Sequence, residues 1–234
     1  MNARERLIVA LDLPSVAEAD ALAERLAGHV GLFKVGSQLF SAGGIEVVRR
    51  LVARGERVFL DLKYHDIPNT VAGAVAAAGG LGVSLVDVHA LGGSAMIAAA
   101  VKAKADPGLR LLAITILTSH DAATLAELGL AGPVPAAVVR LARMAQQAGA
   151  DGVVASPHEV TLIREACGAQ FLIVTPGIRP LGASLGDQAR AATPATAIAA
   201  GSDYIVVGRP ILEASDPAAA ADAITAEIAQ TGTP

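Results

Sequence analysis

Residues 58–71, VFLDLKYHDIPNTV, place Asp61, Lys63, His65 and Asp66 within six positions, directly after an apolar run. An acid beside an amine is the raw material for moving a proton and for stabilising negative charge that develops during a reaction. Asp61 and Lys63 are two apart, so on an extended strand their side chains project from the same face. If that face is interior, both charges are desolvated and tolerated only when paired. Lys34 in GLFKVGS and Asp12 in LIVALDL supply further charges, and Lys34 on a neighbouring strand can complete an alternating network. A solvated salt bridge at a rim would account for one such pair. Asp12, Lys34, Asp61, Lys63 and Asp66 together point to a site.

Two later motifs suggest a phosphate. PGIRP offers the Gly177 backbone and Arg179, and VVGRP offers the Gly208 amide and Arg209. Backbone amides and arginines at adjacent chain turns are the usual means of holding a phosphoryl group. Either motif alone is no more than a turn; both at strand ends favour a phosphorylated substrate. Asp87 and His89 share a face of LVDVHA and are expected to form an interior hydrogen-bonded pair, although they could in principle hold a metal. His65, His89 and His120 lack the spacing of a metal-binding set. Thr118 and Ser119 follow the run LRLLAITIL.

These residues need a scaffold that brings the ends of several strands together. Short β-branched runs recur at 7–13, 31–37, 57–64, 85–90, 109–117, 152–156, 171–177 and 204–209. Between most of them lie Ala-rich segments, such as SVAEADALAERLAG, with apolar residues at the helical period. Near-continuous apolar strands alternating with helices require a parallel sheet covered by helices. About eight such units fit an α/β fold of the (β/α)8 TIM-barrel type, expected as one domain over 1–234, in which chemistry gathers at the C-terminal ends of the strands. An open doubly wound sheet is the alternative. Its dinucleotide-binding version needs a Gly-rich turn after the first strand, and ALDLPSVAEAD has none.

At the tail of the charged stretch, Pro68 suits a turn, and Asn69 or Thr70 is placed to cap a helix beginning at VAGAVAAA. Capping does not explain Asp66, which sits where it can face a ligand or another subunit. The charge-free segment Val71–Val86 is too short to span a bilayer and is expected to be a buried helix. The formal net charge of -4, with no Lys/Arg run, argues against a nucleic-acid face. No apolar leader precedes the first strand pattern, so the expected location is the cytoplasm, with no membrane partner. Cys167 is the single cysteine and is expected to be a small packing residue.

DLKYHDIPNT, residues 61–70, resembles the signature of the orotidine 5'-phosphate decarboxylase family. ALDL near the start, FKVG, LTS after the fifth run, PGIRP and VGRP fit in order along nearly the whole chain. The sparser D-x-K-x-x-D pattern of Asp61, Lys63 and Asp66 is shared by a broader superfamily that includes magnesium-dependent barrels acting on sugar phosphates. The HDIPNT continuation favours the nucleotide enzyme.

The resemblance implies a homodimeric barrel, without metal or organic cofactor, that converts orotidine 5'-monophosphate to uridine 5'-monophosphate and carbon dioxide. It implies that Lys63 stabilises and protonates the C6 carbanion while Asp61 lies near the departing carboxylate. Lys34 would position Asp61 and the ribose, and Asp12 would bind ribose hydroxyls. Asp66 and Thr70 would serve the partner subunit's site. Thr118, with Ser119 as a rival, would read the pyrimidine edge. Arg209, the Gly208 amide and Gln188 would bind phosphate and close the segment IRPLGASLGDQAR over the site.

Overall fold

The structure, a computed structural model, describes residues 1–130, 132–180 and 192–231. Among these residues eight parallel strands close into a barrel in sequence order: β1 (Leu7–Ala10), β2 (Leu32–Gly36), β3 (Val58–Tyr64), β4 (Leu85–His89), β5 (Arg110–Ile114), β6 (Gly152–Val154), β7 (Leu172–Thr175) and β8 (Tyr204–Val207). The ring closes where Leu7, Ile8 and Val9 of β1 lie beside Ile205, Val206 and Val207 of β8. The covering helices are α1 (Val16–Leu26), α2 (Ser37–Ala53), α3 (Pro68–Gly79), α4 (Gly93–Lys102), α5 (Ala122–Glu127), α6 (Val134–Gln147), α7 (Val160–Cys167), α8 (Pro194–Ala199), α9 (Arg209–Leu212) and α10 (Pro217–Gln230). This is a (β/α)8 TIM barrel.

Alternation along the strands builds two apolar regions. Leu7, Val9, Phe33, Val35, Val58, Leu60, Val86 and Val88 point outward and pack under the helices. Ile8, Ala10, Leu32, Phe59, Leu85, Leu112, Ile114, Val154, Val174 and Val206 fill the barrel. The helices meet the outer layer with one stripe each. In α6 it is Ala137, Val138, Leu141, Ala142 and Ala145, while in α1 it is Ala19, Leu22, Ala23 and Leu26. Small residues let the layers close: a Cβ on Gly152 would stand 2.3 Å from the Leu172 carbonyl oxygen on the adjacent strand.

Several boundaries differ from those expected. Apart from β3, which reaches Tyr64 at the end of its run, the paired strands stop short of the apolar runs, because beyond them the chain leaves the ladder to form the mouth. Neither Asn69 nor Thr70 caps α3. The helix begins at Pro68 and Ile67 is its cap, without a side-chain hydrogen bond. The fixed φ of proline suits the first helical position and moves the start three residues earlier than the Ala-rich pattern suggests. Nor is 71–86 a buried helix. Helix α3 ends at Gly79 and buries Val71, Val75 and Ala78, whereas Gly73, Ala76 and Ala77 are exposed. A helix can be charge-free and still have a solvent face when that face is made of Ala and Gly.

Candidate active site

On neighbouring strands at one side of the barrel the inward face changes from apolar to polar toward the C-terminal end. On β2, Leu32 is followed by Lys34. On β3, Phe59 is followed by Asp61 and then Lys63, and on β4 Leu85 is followed by Asp87 and His89. On β1 the series Ile8, Ala10 continues to Asp12, two residues past the strand. The alternation that fills the barrel below thus delivers charges above it.

These charges form one chain. Lys34 Nζ lies 3.2 Å from Asp12 Oδ1 and 3.1 Å from Asp61 Oδ2, and Lys63 Nζ pairs with Asp61 Oδ1. Lys34 and Asp61 are buried. Lys63 keeps 38% of its side chain exposed, toward the cavity it helps line. Burial opposes the charge on Lys34, but Asp61 and then Asp12 outweigh it and raise its pKa. Burial likewise opposes the Asp61 carboxylate. Lys34, a hydrogen bond with Asp87 and then Lys63 overcome that opposition and hold Asp61 well below the usual carboxylate range. Asp61 is therefore an anion at neutral pH although it is desolvated.

The backbone supporting this chain is irregular. Leu60 pairs with Val86 but Tyr64 pairs with Val88, so the β3–β4 register shifts across Asp61–Lys63. Lys63 has φ 51, the one non-glycine residue with positive φ among those described. Such a conformation costs roughly 1–3 kcal/mol and persists only where the surroundings fix it. One fixing contact is the Lys63 N–H, which donates to Asp87 Oδ1 at 2.8 Å. Gly36 is equally constrained by close approach: a Cβ there would stand 2.8 Å from Lys34 Nζ and 3.2 Å from Asp12 Oδ1.

A cavity of about 610 Å³ opens over the chain. Asp12, Lys34, Asp61 and Lys63 line one side. Thr118, Ser119, Gly177, Arg179, Gly208 and Arg209 also contribute to its wall. The structure therefore brings eight of the expected residues together with Thr118, and Ser119 lines the cavity as well. Arg179 is buried, and its Nη1 donates to the Ile178 carbonyl at 2.9 Å. Asp66 and Thr70 do not line this cavity; they lie on the exposed run His65–Thr70, where Asp66 Oδ1 accepts from Ile67 N at 2.6 Å. Gln188 lies outside the described residues, as does the whole of 181–190 in the segment IRPLGASLGDQAR. Gln38 lines the cavity from the first turn of α2, where the strand alternation that picks out the other residues has already ended.

Asp87 and His89 are not the interior pair expected. Asp87 is fully buried and turns to Lys63 and Asp61, while His89 Nδ1 accepts from Leu91 N at 3.3 Å and its ring stacks on His65, 5.5 Å between centroids. The register shift brings β3 backbone over Asp87, whereas His89 lies one pleat farther out at the mouth. Burial, then His65, His120 and Lys63, lower the His89 pKa to about 4. Among the described residues no three His, Cys, Asp or Glu side chains gather as a metal ion would require. Cys167 is half-buried against the outer layer, and burial raises its thiol pKa.

Residues 5–224 match the family model described as Orotidine 5'-phosphate decarboxylase / HUMPS family. The chain belongs to that family. Similar curated relatives include the orotidine 5'-phosphate decarboxylases of Halorhodospira halophila, 61% identical with 97% of each chain covered, and of Anaeromyxobacter sp. strain K, 57% identical with 97% of this chain and 99% of that one covered. Among solved structures, orotidine 5'-phosphate decarboxylase from Lactobacillus acidophilus matches with a TM-score of 0.84 at 44% identity, over 95% of this chain and 98% of the other. For an orotidine 5'-phosphate decarboxylase / HUMPS family member, the Asp12–Lys34–Asp61–Lys63 chain and the arginines sharing its cavity are the features that need a chemical explanation. No described helix is long and apolar enough to cross a membrane.

Proposed function

We propose that this chain is an orotidine 5'-phosphate decarboxylase of pyrimidine biosynthesis, releasing carbon dioxide from orotidine 5'-monophosphate to give uridine 5'-monophosphate. The observation that carries the reading is the buried, ionised Asp61 held between Lys34 and Lys63, with Lys63 facing the cavity. Loss of carbon dioxide from C6 leaves a carbanion with little delocalisation. A fixed ammonium beside C6 stabilises that charge without reorganisation and then donates the proton that quenches it. Lys63 fills both roles. Asp61 stands where the substrate carboxylate would lie, and the repulsion between the two anions is relieved as neutral carbon dioxide leaves. Lys34 keeps Asp61 ionised and in place and reaches the ribose with Asp12.

Arg209, the Gly208 amide and Arg179 are assigned to the phosphate, with Gln188 as a further ligand, and Thr118 or Ser119 to the pyrimidine edge. Phosphate contacts remote from C6 supply binding energy that can be used to close the site around the reacting ring. We further propose a cytoplasmic homodimer in which Asp66 and Thr70 complete the partner subunit's cavity. Two observations support this: neither residue lines the cavity of its own subunit, and the neighbouring Ile67 is 66% exposed. No cofactor is assigned a role.

Orotidine 5'-monophosphate absorbance, followed with purified protein in the presence and absence of EDTA, tests the reading. Equal loss of substrate in both is expected. Activity confined to the EDTA-free sample would favour a magnesium-dependent lyase of the same superfamily, and tight binding of uridine 5'-monophosphate without turnover would favour a binding barrel.

A further inference from the structure

Asp87 occupies the middle of β4 with no solvent exposure, yet the decarboxylation needs no third carboxylate there. Its two oxygens have different surroundings. Oδ1 accepts the Lys63 N–H at 2.8 Å. Oδ2 is buried with no donor among the described residues, and the Asp61 carboxylate is close enough to act on Asp87 both by its charge and as a hydrogen-bond partner. Two ionised carboxylates cannot share such a contact, since each can only accept. One proton between them removes the conflict.

The proton belongs on Asp87. Asp61 has Lys34 and Lys63 as direct ion-pair partners, whereas Asp87 has no ion pair in the described structure and receives one backbone amide. From β3, Asp61, Lys63 and Tyr64 face it. Lys34 of β2 acts on it through Asp61, and β5 presents Leu112 as its registered partner. On its own strand, His89 is acted on by His65, His120 and Lys63, and not by Asp87. Burial, then the Asp61 charge, raise the Asp87 pKa well above the carboxylate range, with Lys63 opposing. Burial and then Asp87 also raise the Tyr64 hydroxyl.

We propose that Asp87 is a positioning residue held as a neutral carboxylic acid, its Oδ2–H donated to Asp61 while Oδ1 fixes the Lys63 backbone. A single side chain thereby orients both members of the reacting acid–amine pair. It holds the Asp61 carboxylate from below, leaving the oxygens set between the lysines, and it pins the left-handed turn that aims Lys63 into the cavity. The neutral form serves both contacts. An ionised Asp87 would repel Asp61 and draw Lys63 away from the substrate.

The inference rests on the decarboxylase reading for its kinetic arm alone, and turnover by the wild-type chain decides that reading separately. Infrared spectra of the substrate-free protein at neutral pH should contain a protonated-carboxyl carbonyl band that shifts on aspartate 13C labelling and is missing in Asp87→Asn. Asparagine keeps an acceptor for Lys63 N–H and a donor for Asp61 without an ionisable proton. Asp87→Ala should lower kcat by at least about 10-fold relative to Asp87→Asn, with KM changing by less than about 3-fold. The alkaline fall of kcat in Asp87→Asn should also lie at higher pH than in wild type. Absence of the band, or an Asn variant no better than Ala, overturns the proposal. If Asp87→Ala does not fold, the band and the pH profile of the Asn variant decide it.

Discussion

The two ends of the barrel use the same charged residue types for opposite purposes. At the N-terminal end, Asp151 accepts from Lys104 Nζ at 2.5 Å, Arg110 Nη1 at 3.3 Å and the Leu111 amide at 2.7 Å. Nearby, Arg164 donates to the carbonyls of Gly168, Ala169, Phe171 and Gly201 and to Asp203, which also accepts from the Ile173 amide. These groups bind backbone and fix where strands begin. At the C-terminal end the charges pair mainly with one another, along Asp12–Lys34–Asp61–Lys63, and the last ammonium faces a cavity. A charge whose hydrogen bonds are taken up by backbone holds the fold. One that retains donors beside an empty volume can act on a ligand.

Substitution at the two ends should separate these roles. The largest effect is expected from Lys63→Ala, which removes both the proton and the preplaced charge: kcat should fall by roughly 10⁴-fold or more while uridine 5'-monophosphate binding stays measurable. Equal loss of binding and turnover, with a lowered melting temperature, would class Lys63 with the structural charges of the other end.

Next in size is recovery by mixing subunits. Lys63→Ala and Asp66→Ala homodimers should each be nearly inactive. A mixed dimer would hold one site with both lesions and one with neither, so activity should return to as much as about half that of wild type if the sites act independently. Verified heterodimers as inactive as their parents would place Asp66 in its own subunit's chemistry.

Arg209→Ala should reduce kcat/KM for the nucleotide by about 10–100-fold, the usual value of a charge-assisted contact. Turnover of the phosphate-free nucleoside should change little. An equal loss for both substrates would mean that Arg209 supports the wall of the cavity and does not bind phosphate.

The smallest effect on catalysis is expected at the opposite end. Asp203→Ala strands the Ile173 amide and Arg164, at a cost of about 1–3 kcal/mol. The melting temperature should drop by roughly 2–10 °C, and kcat of the folded enzyme should stay within about 2-fold. A fall in kcat as large as that for Arg209→Ala would dissolve the distinction between the two ends.

Much of this was legible in the chain because alternation is local. Once strands at 7–13, 31–37 and 57–64 are recognised, Asp12, Lys34, Asp61 and Lys63 fall on the interior faces, and DLKYHDIPNT identifies the family they serve. Glycine and arginine at the ends of the last two strands were readable in the same way, since a parallel barrel brings every strand end to one rim. The cap of α3 was misplaced because Pro68 outweighs the side-chain capping offered by Asn69 and Thr70. Periodicity also could not reveal that 71–79 exposes its Ala and Gly face.

The sequence by itself determined the barrel, the family and the residues that make up the charge chain, because strand alternation and a specific signature need no knowledge of what packs against what. Only the tertiary structure decided that Asp87 turns to Lys63 and Asp61 instead of His89, that Lys63 adopts a left-handed conformation, and that Thr118 and Ser119 both reach the cavity. Each of these depends on pairing between segments distant in sequence. The two-residue shift between β3 and β4 is a property of neither strand alone; it arises when their hydrogen-bond ladders meet.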